Sequence, residues 1–511
     1  MSDTPTKTYA ALCNHRRRTA TLGAVHALTS WDQETYMPPK GAAFRAEESA
    51  LLAEIEHERA TSRELGDLIA SCAQDRGLMS DPRRAANVRE MRRDYDLATK
   101  LPGDLVAELA RTGSQAQQVW KEARAKSDFA MFAPWLTKMV GLARRKAECY
   151  GAPAGGEAYD ALLNEYEPGA TAKEIEGIFT PLGGRLAALV ADLAAGKAPD
   201  ESPKRIQAPE AAQHALGLHV LGAMGFDLEA GRLDVTTHPF CEGMAPGDTR
   251  LTTRYREEMF TDALYGTMHE GGHGLYEQGL PKDARDGDIE LYGTPLTQSI
   301  SLGIHESQSR MWENFVGRSL EFWQWLHPKA TELLPELKKY SSEQIYRSVN
   351  TAKPSYIRVE ADEATYNLHI MLRFEIERAL FNGQLEAADV PGAWNETFRK
   401  YLGLEVPDDR RGCLQDVHWS FGLMGYFPTY CLGNLYCAQL WETITEAIPD
   451  LPRHMARGEF GALKRWLNEN IHACGKQYRA GELCAKLTGK PLSADPLLRH
   501  LEQKLRPVYG V

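Results

Sequence analysis

The sequence predicts a mostly α-helical protein, arranged as two helical lobes flanking a deep groove, with one small β element. Three observations carry this reading. Helix formers with apolar positions near the 3.6-residue period recur from end to end of the chain. Alternating, strand-like stretches are few. No linker rich in Pro, Gly or Ser is long enough to separate independent domains, so residues 1–511 read as a single domain.

The elements follow in order. His15-Arg16-Arg17-Arg18 reads as the solvated face of a first helix. Helical patterns are expected over residues 42–60, 83–100, 104–126, 130–149, 172–197 and 208–222. Glycine- and proline-containing loops punctuate them at 151–156 and 196–203. Residues 232–237 and 249–255 are the best strand candidates, expected to pair as a small hairpin or sheet edge. The longest helical pattern runs from Pro354 to Phe381, and Asn382-Gly383 ends it as a C-cap would.

Composition narrows the function. The 43% apolar and 25% charged fractions of these 511 residues are those of an ordinary globular protein. A net charge of -11 argues against nucleic acid as a partner. No run approaches the ~20 apolar residues of a membrane span, and the first residues do not read as a secretory signal. Nine cysteines are scattered singly without a CxxC, as expected for a reducing, cytoplasmic location.

The chemistry concentrates at His269-Glu270-Gly271-Gly272-His273, an HExxH motif. On a helix the two imidazoles lie one turn apart on one face, where they can bind one Zn²⁺. Glu270 is turned by about 100° from His269, toward the open coordination site, where it can serve as general base. Three glycines in this helix (Gly271, Gly272 and Gly274) each cost about 1 kcal/mol relative to Ala, so something must approach its backbone closely, either another helix or an extended substrate. A third ligand is expected from Gly303-Ile304-His305-Glu306-Ser307-Gln308, with Ser301 as N-cap. Glu306 completes a His₂Glu set, the combination found in hydrolytic peptidases, and His305 beside it is the rival. Donors for a developing oxyanion are sought among His418 and the aromatic run Tyr426-Phe427-Pro428-Thr429-Tyr430.

With these residues assembled, the chain resembles the carboxypeptidase Taq family of zinc metallocarboxypeptidases over nearly its whole length. Besides the two metal segments, the resemblance rests on Trp31-Asp32-Gln33-Glu34-Thr35-Tyr36-Met37-Pro38, on Tyr159-Asp160 with Glu165-Tyr166-Glu167-Pro168-Gly169, and on His238-Pro239-Phe240. Asp248-Thr249-Arg250-Leu251-Thr252 fits DxRxT, Ile357 to Asp362 fits IRxxAD, and Gly412 to Trp419 fits GxxQDxHW. The resemblance implies a helical fold similar to that of thimet oligopeptidase and broad removal of C-terminal residues from peptides, poor next to proline. It also implies a homodimer and zinc, with cobalt able to substitute. Its motifs assign His269, His273 and Glu306 as ligands and Glu270 as base.

A carboxypeptidase must also recognise a free carboxylate, which a guanidinium binds bidentately. Arg358 is the first candidate and Arg250 the second; the competing readings are internal salt bridges to Asp362 and Asp248. His238 and Tyr426 are further substrate-side candidates, while His418 and Tyr430 are expected to support the oxyanion, with Tyr426 a near alternative. Two other functions remain open: a groove-type endo-oligopeptidase or dipeptidyl carboxypeptidase, and a non-catalytic peptide-binding scaffold.

Overall fold

The computed structural model describes residues 7–511. The first five helices are α1 (Lys7–Thr35), α2 (Ala42–Ala60), α3 (Arg63–Gln74), α4 (Arg76–Met79) and α5 (Pro82–Lys100). Side-chain caps start three of them. Ser62 accepts from Leu65 N–H, Asp75 from Gly77 and Leu78, and Asp81 from Arg83 and Arg84. Tyr9, Leu12, Leu65, Ile69, Val88 and Met91 form a small core of their own, closed by Leu291 and Leu296. α2 contributes no buried residue.

The main core begins with α6 (Gly103–Lys126), α7 (Phe129–Tyr150), α8 (Ala158–Tyr166), α9 (Ala172–Ala195) and α10 (Glu210–Met224). α9 shows the logic. A Thr171/Glu174 capping box opens it, and Ile175, Phe179, Leu182, Leu186, Leu189 and Leu193 recur every three or four residues as one buried stripe. Each such side chain stabilises the fold by about 1.5–3 kcal/mol, and Leu186→Ala at its centre would cost about 2–5 kcal/mol. By length and composition alone α9 is also the one described helix able to cross a membrane, but this stripe is spent on the core.

The β element is a three-stranded sheet of β1 (Gly231–Val235), β2 (Cys241–Ala245) and β3 (Asp248–Thr253) in the order β1-β3-β2. The two expected strands do pair, but β1 runs parallel to β3, so they are not a hairpin. The hairpin is β2–β3, turning at Gly247 with φ +76°. A short ribbon follows from β4 (Arg285–Asp286) and β5 (Ile289–Glu290).

α11 (Phe260–Gly279) precedes that ribbon, and α12 (Leu302–Arg310) follows it and runs on through a π-helical turn at Met311–Val316. The remaining helices are α13 (Leu320–Leu333), α14 (Ser342–Val349), α15 (Tyr366–Phe381), α16 (Val390–Leu402), α17 (Pro428–Ala447), α18 (Leu451–Met455), α19 (Gly461–Asn470), α20 (Ala480–Thr488) and α21 (Asp495–Tyr509). α15 corrects the expected helix from Pro354, since only its second half is α-helical. The Asp362 carboxylate accepts from the N–H groups of Ala364 and Thr365 and from the Thr365 hydroxyl, which restarts the chain four residues before Tyr366. Upstream, Arg358–Glu360 form only a 3₁₀ turn.

Candidate metal centre

α11 is held on three sides, which explains its glycines. A Cβ on Gly271 would lie 2.7 Å from Leu221 of α10, and one on Gly274 would lie 2.7 Å from Leu251 of β3 and Phe226. A Cβ on Gly272 would lie 2.7 Å from the Gln308 carbonyl oxygen and Ser309 Cα, so α11 and α12 touch backbone to backbone. The close neighbour inferred from the sequence is therefore protein, and this contact brings the two metal segments together.

At that contact the donor atoms of His269, His273 and Glu306 all lie within 4.8 Å of one another. Nε2 of His269 is 3.6 Å and Nε2 of His273 is 3.5 Å from Glu306 Oε2. Donors about 2.0–2.1 Å from a tetrahedral zinc are separated by about 3.3–3.5 Å, so the set fits that ion. Ser301 caps α12 as expected, its hydroxyl accepting from Ile304 N–H at 3.1 Å. His305 is excluded from the set because its nitrogens are committed elsewhere. Nδ1 lies 2.5 Å from His273 Nδ1 and Nε2 lies 3.0 Å from Glu277 Oε1.

The outer partners explain the electrostatics. His269 Nδ1 faces Glu313 Oε2 at 3.0 Å, a carboxylate–histidine pair that orients the ring. Arg310 donates to Glu306 Oε1 (2.7 Å) and to Glu313 Oε2 (3.2 Å). Burial pushes Glu306 up, but Arg310, His269 and His273 outweigh it and hold the carboxylate well below its ordinary value. Burial, then the neighbouring His305, takes His273 down to about 3, keeping a neutral imidazole with a free lone pair. Burial lowers His269 too, but Glu306 and Glu313 overcome it and leave it raised. The raised value reports a concentration of negative charge that favours a cation. Glu270, 7% exposed, is pushed up to about 7, chiefly by burial, against the opposing pull of His269.

A second cluster presents polar aromatics. His418 Nε2 is 3.3 Å from the Tyr430 hydroxyl, and Tyr426 packs edge-on to Tyr430 with ring centroids 5.4 Å apart. Tyr430 stands three residues before Gly433 on α17, where that helix packs directly against the Glu306 side chain, so this cluster lies beside the metal donors. Burial takes His418 down to about 3, so it acts as a neutral imidazole.

Both clusters are moored to α8. At one end Tyr159 donates to Glu377 Oε2 (2.6 Å), and Glu377 also accepts from Trp419 Nε1 (2.9 Å) and Gly425 N–H (3.0 Å), fixing the segment between His418 and Tyr426. At the other end Glu167 accepts from Gly303 N–H in the first turn of α12 (3.0 Å) and from the Tyr436 hydroxyl (3.2 Å). Burial pushes both carboxyls up to about 7.

The expected substrate residues are placed differently. Arg358 is 5% exposed and is not free for a ligand. Its Nε and Nη2 donate to Asp416 Oδ1, and its Nη1 donates to the Tyr366 hydroxyl at 2.9 Å. The partner is Asp416, shared with Arg373, and not Asp362, because Arg358 stands on a 3₁₀ turn and not on α15. Arg250 pairs with Asp248 at 2.8 and 2.9 Å and lies over Trp31, 4.5 Å from the ring centroid. Asp248 is half-exposed, so this pair can open to an incoming anion more readily than that of Arg358. His238 is exposed on the loop between β1 and β2. Sequence reading missed Glu277, Arg310, Glu313 and the two mooring glutamates. Arg310 stands four residues after Glu306, a helical spacing that signals their contact, whereas Glu277, four after His273, meets His305 instead.

The fold and this donor set define a helical metallopeptidase of the HExxH, His₂Glu class. A family model for the carboxypeptidase Taq (M32) metallopeptidases matches residues 11–505. Thermostable carboxypeptidase 1 of Thermus thermophilus is 45% identical over 99% of this chain and 100% of its own length. Thermostable carboxypeptidase 1 of Pyrococcus furiosus is 38% identical over 96% of each chain. The crystal structure of the M32 carboxypeptidase from Deinococcus radiodurans R1 superposes with a TM-score of 0.94 at 38% identity, covering 99% of this chain and 100% of that one. The chain belongs to the carboxypeptidase Taq (M32) metallopeptidase family.

Proposed function

We propose that this protein is a zinc-dependent metallocarboxypeptidase that releases C-terminal amino acids one at a time from peptides with a free carboxyl end. Its specificity is broad, with poor cleavage next to proline. The observation that carries the reading is the convergence of His269, His273 and Glu306 within 4.8 Å, with a buried carboxyl, Glu270, between the two imidazoles in sequence.

Zinc held by these three side chains supplies Lewis-acid polarisation and lowers the pKa of water, and Co²⁺ is expected to substitute. The residues do the rest. Glu270, a buried carboxyl beside the metal donors, accepts the proton of the attacking water as its oxygen bonds to the scissile carbonyl carbon. The same carboxyl returns a proton to the amide nitrogen as the C–N bond breaks. The Tyr430 hydroxyl, with neutral His418 beside it, donates to the developing oxyanion, and Tyr426 packs the same wall. Arg250 takes the substrate carboxylate in exchange for Asp248, with His238 on the neighbouring loop. Arg358 instead buttresses the Tyr430 ring, 5.0 Å from its centroid.

Two measurements test the reading. Metal analysis of the purified protein should give about one zinc per chain, and mass spectrometry of a peptide digest should show a ladder shortened from the carboxyl end. A C-terminal amide should resist; an equally rapid attack on acid and amide would make the protein an endo-oligopeptidase. Glu270→Gln should keep zinc and lose hydrolysis, and normal cleavage by that variant would sink the mechanism.

The proposal includes a cytoplasmic location, supported by nine cysteines that are all free. It excludes nucleic acid and membrane as partners. It also includes a homodimer, whose expected face is α2, with Phe44 66% and Leu51 56% exposed. Sedimentation of the wild type and of a Phe44→Glu, Leu51→Glu variant checks it, and a monomeric wild type refutes it.

A further inference from the structure

The two ligand imidazoles are supported unequally. The outer nitrogen of His269 meets a carboxylate directly, Glu313 at 3.0 Å. The outer nitrogen of His273 meets another imidazole, His305, at 2.5 Å. His305 then reaches Glu277 at 3.0 Å, and the second oxygen of Glu277 accepts from Lys282 Nζ at 2.7 Å.

Proton accounting gives this chain a direction. His273 points Nε2 at Glu306, so a metal there needs the Nε2 lone pair, and the proton of the neutral ring must sit on Nδ1. Nδ1–H therefore donates, and His305 Nδ1 must accept. His305 then carries its own proton on Nε2 and donates it to Glu277 Oε1. The reverse arrangement would put a proton on His273 Nε2 and block the lone pair. Glu277, whose second oxygen is paired with Lys282, is the acceptor that enforces the productive order.

The packing holds His305 in this one pose. Its ring lies between His273 (centroids 4.4 Å apart) and Tyr276 (5.3 Å). The Tyr276 hydroxyl is itself fixed by accepting from Ile300 N–H at 3.1 Å.

We propose that His305 is a positioning residue for the metal. As a hydrogen-bond acceptor it locks His273 in the tautomer that offers Nε2, and Glu277 and Lys282 anchor it from behind. The inference rests on the metal-site reading above and adds a role for the residue that competed for the third ligand position.

The test is zinc affinity of the apo protein, measured by chelator competition, with circular dichroism and thermal melting to confirm folding. His305→Asn places an amide oxygen where Nδ1 stands, and should retain zinc affinity within about threefold. His305→Phe keeps the ring but removes the acceptor, and should weaken zinc binding about 10–100-fold, the usual cost of losing an outer partner of a metal-bound histidine. The visible spectrum of the cobalt-loaded protein should change with Phe and stay close to wild type with Asn. If His305→Phe does not fold, His305→Gln replaces it, because its amide lies one carbon too far out to accept at the same place. Unchanged affinity with Phe, or equal losses with Phe and Asn in folded proteins, would overturn the proposal and leave His305 a packing residue. A wild-type protein that takes up no zinc would instead sink the metal-site reading itself.

Discussion

Gly433 offers a way to disturb the metal centre without touching a ligand. It lies on α17 against α12, and a Cβ built on it would stand 2.6 Å from both Cβ and Cγ of Glu306 and 3.2 Å from the Gly303 carbonyl oxygen. Carbon atoms are comfortable at about 3.5–4.0 Å, so Gly433→Ala forces a movement of about 1 Å. Part of that movement falls on the Glu306 side chain, whereas metal–ligand distances tolerate only about 0.2 Å. Overpacking costs about 1–3 kcal/mol, and replacing glycine by alanine inside a helix returns about 1 kcal/mol. Fold stability should therefore fall by no more than about 2 kcal/mol. Zinc affinity should fall about 10–100-fold, equivalent to about 1.4–2.8 kcal/mol. Chelator competition on the apo protein measures the affinity, and urea unfolding of the same preparation measures the stability. Affinity within threefold of wild type in a folded variant would refute the claim that α17 wedges the Glu306 carboxylate in place.

Other outcomes follow from the same geometry. Arg358→Met should cost about 1.5–3 kcal/mol in urea unfolding, because it removes charge-assisted hydrogen bonds to Asp416, which Arg373 still neutralises; a raised KM with unchanged stability would restore Arg358 as the substrate's carboxylate partner. Tyr430→Phe should lower kcat about 10²–10³-fold with a much smaller change in KM, as measured by steady-state kinetics. Buried Glu363 lies between Lys504 and His500, both at 2.7 Å, and their charges hold its carboxylate well below the ordinary value against the effect of burial. A depressed pKa of this kind adds stability above the ordinary glutamate value of about 4.5, and that stability is lost as pH falls below it. The stability gap between wild type and Glu363→Gln in urea titrations should therefore shrink once pH falls below about 4.5; a gap that keeps widening below that pH refutes the assignment.

What the sequence disclosed divides along a physical line. The helix over 42–60 was legible to the residue, and those at 83–100 and 104–126 to within a residue, because period and capping are local properties. Pairing of 231–235 with 248–253 was legible, but its direction was not, since the same alternation serves parallel and antiparallel neighbours. The stretch before α15 has helical composition, yet the Asp362 side chain captures the backbone there. Arg358 could not be judged from its own motif, since the group that neutralises it is 58 residues away. At the metal centre the donor types were legible, while Glu277 and Arg310 were overlooked. The choice between His305 and Glu306 was harder: adjacent residues on one helix point about 100° apart, and only the docking of α12 onto α11 decides which faces the ion. Glu313 was hidden because a π-helical turn displaces it from ordinary spacing.

The short helix α8 contributes no donor to either cluster, yet Tyr159 and Glu167 at its two ends fasten the segment between His418 and Tyr426 and the first turn of α12 respectively. It works as a ruler: the gap between the metal donors and the aromatic cluster is inherited from two turns of backbone. Substitutions elsewhere in the chain can alter either cluster while the reach between the two stays the same.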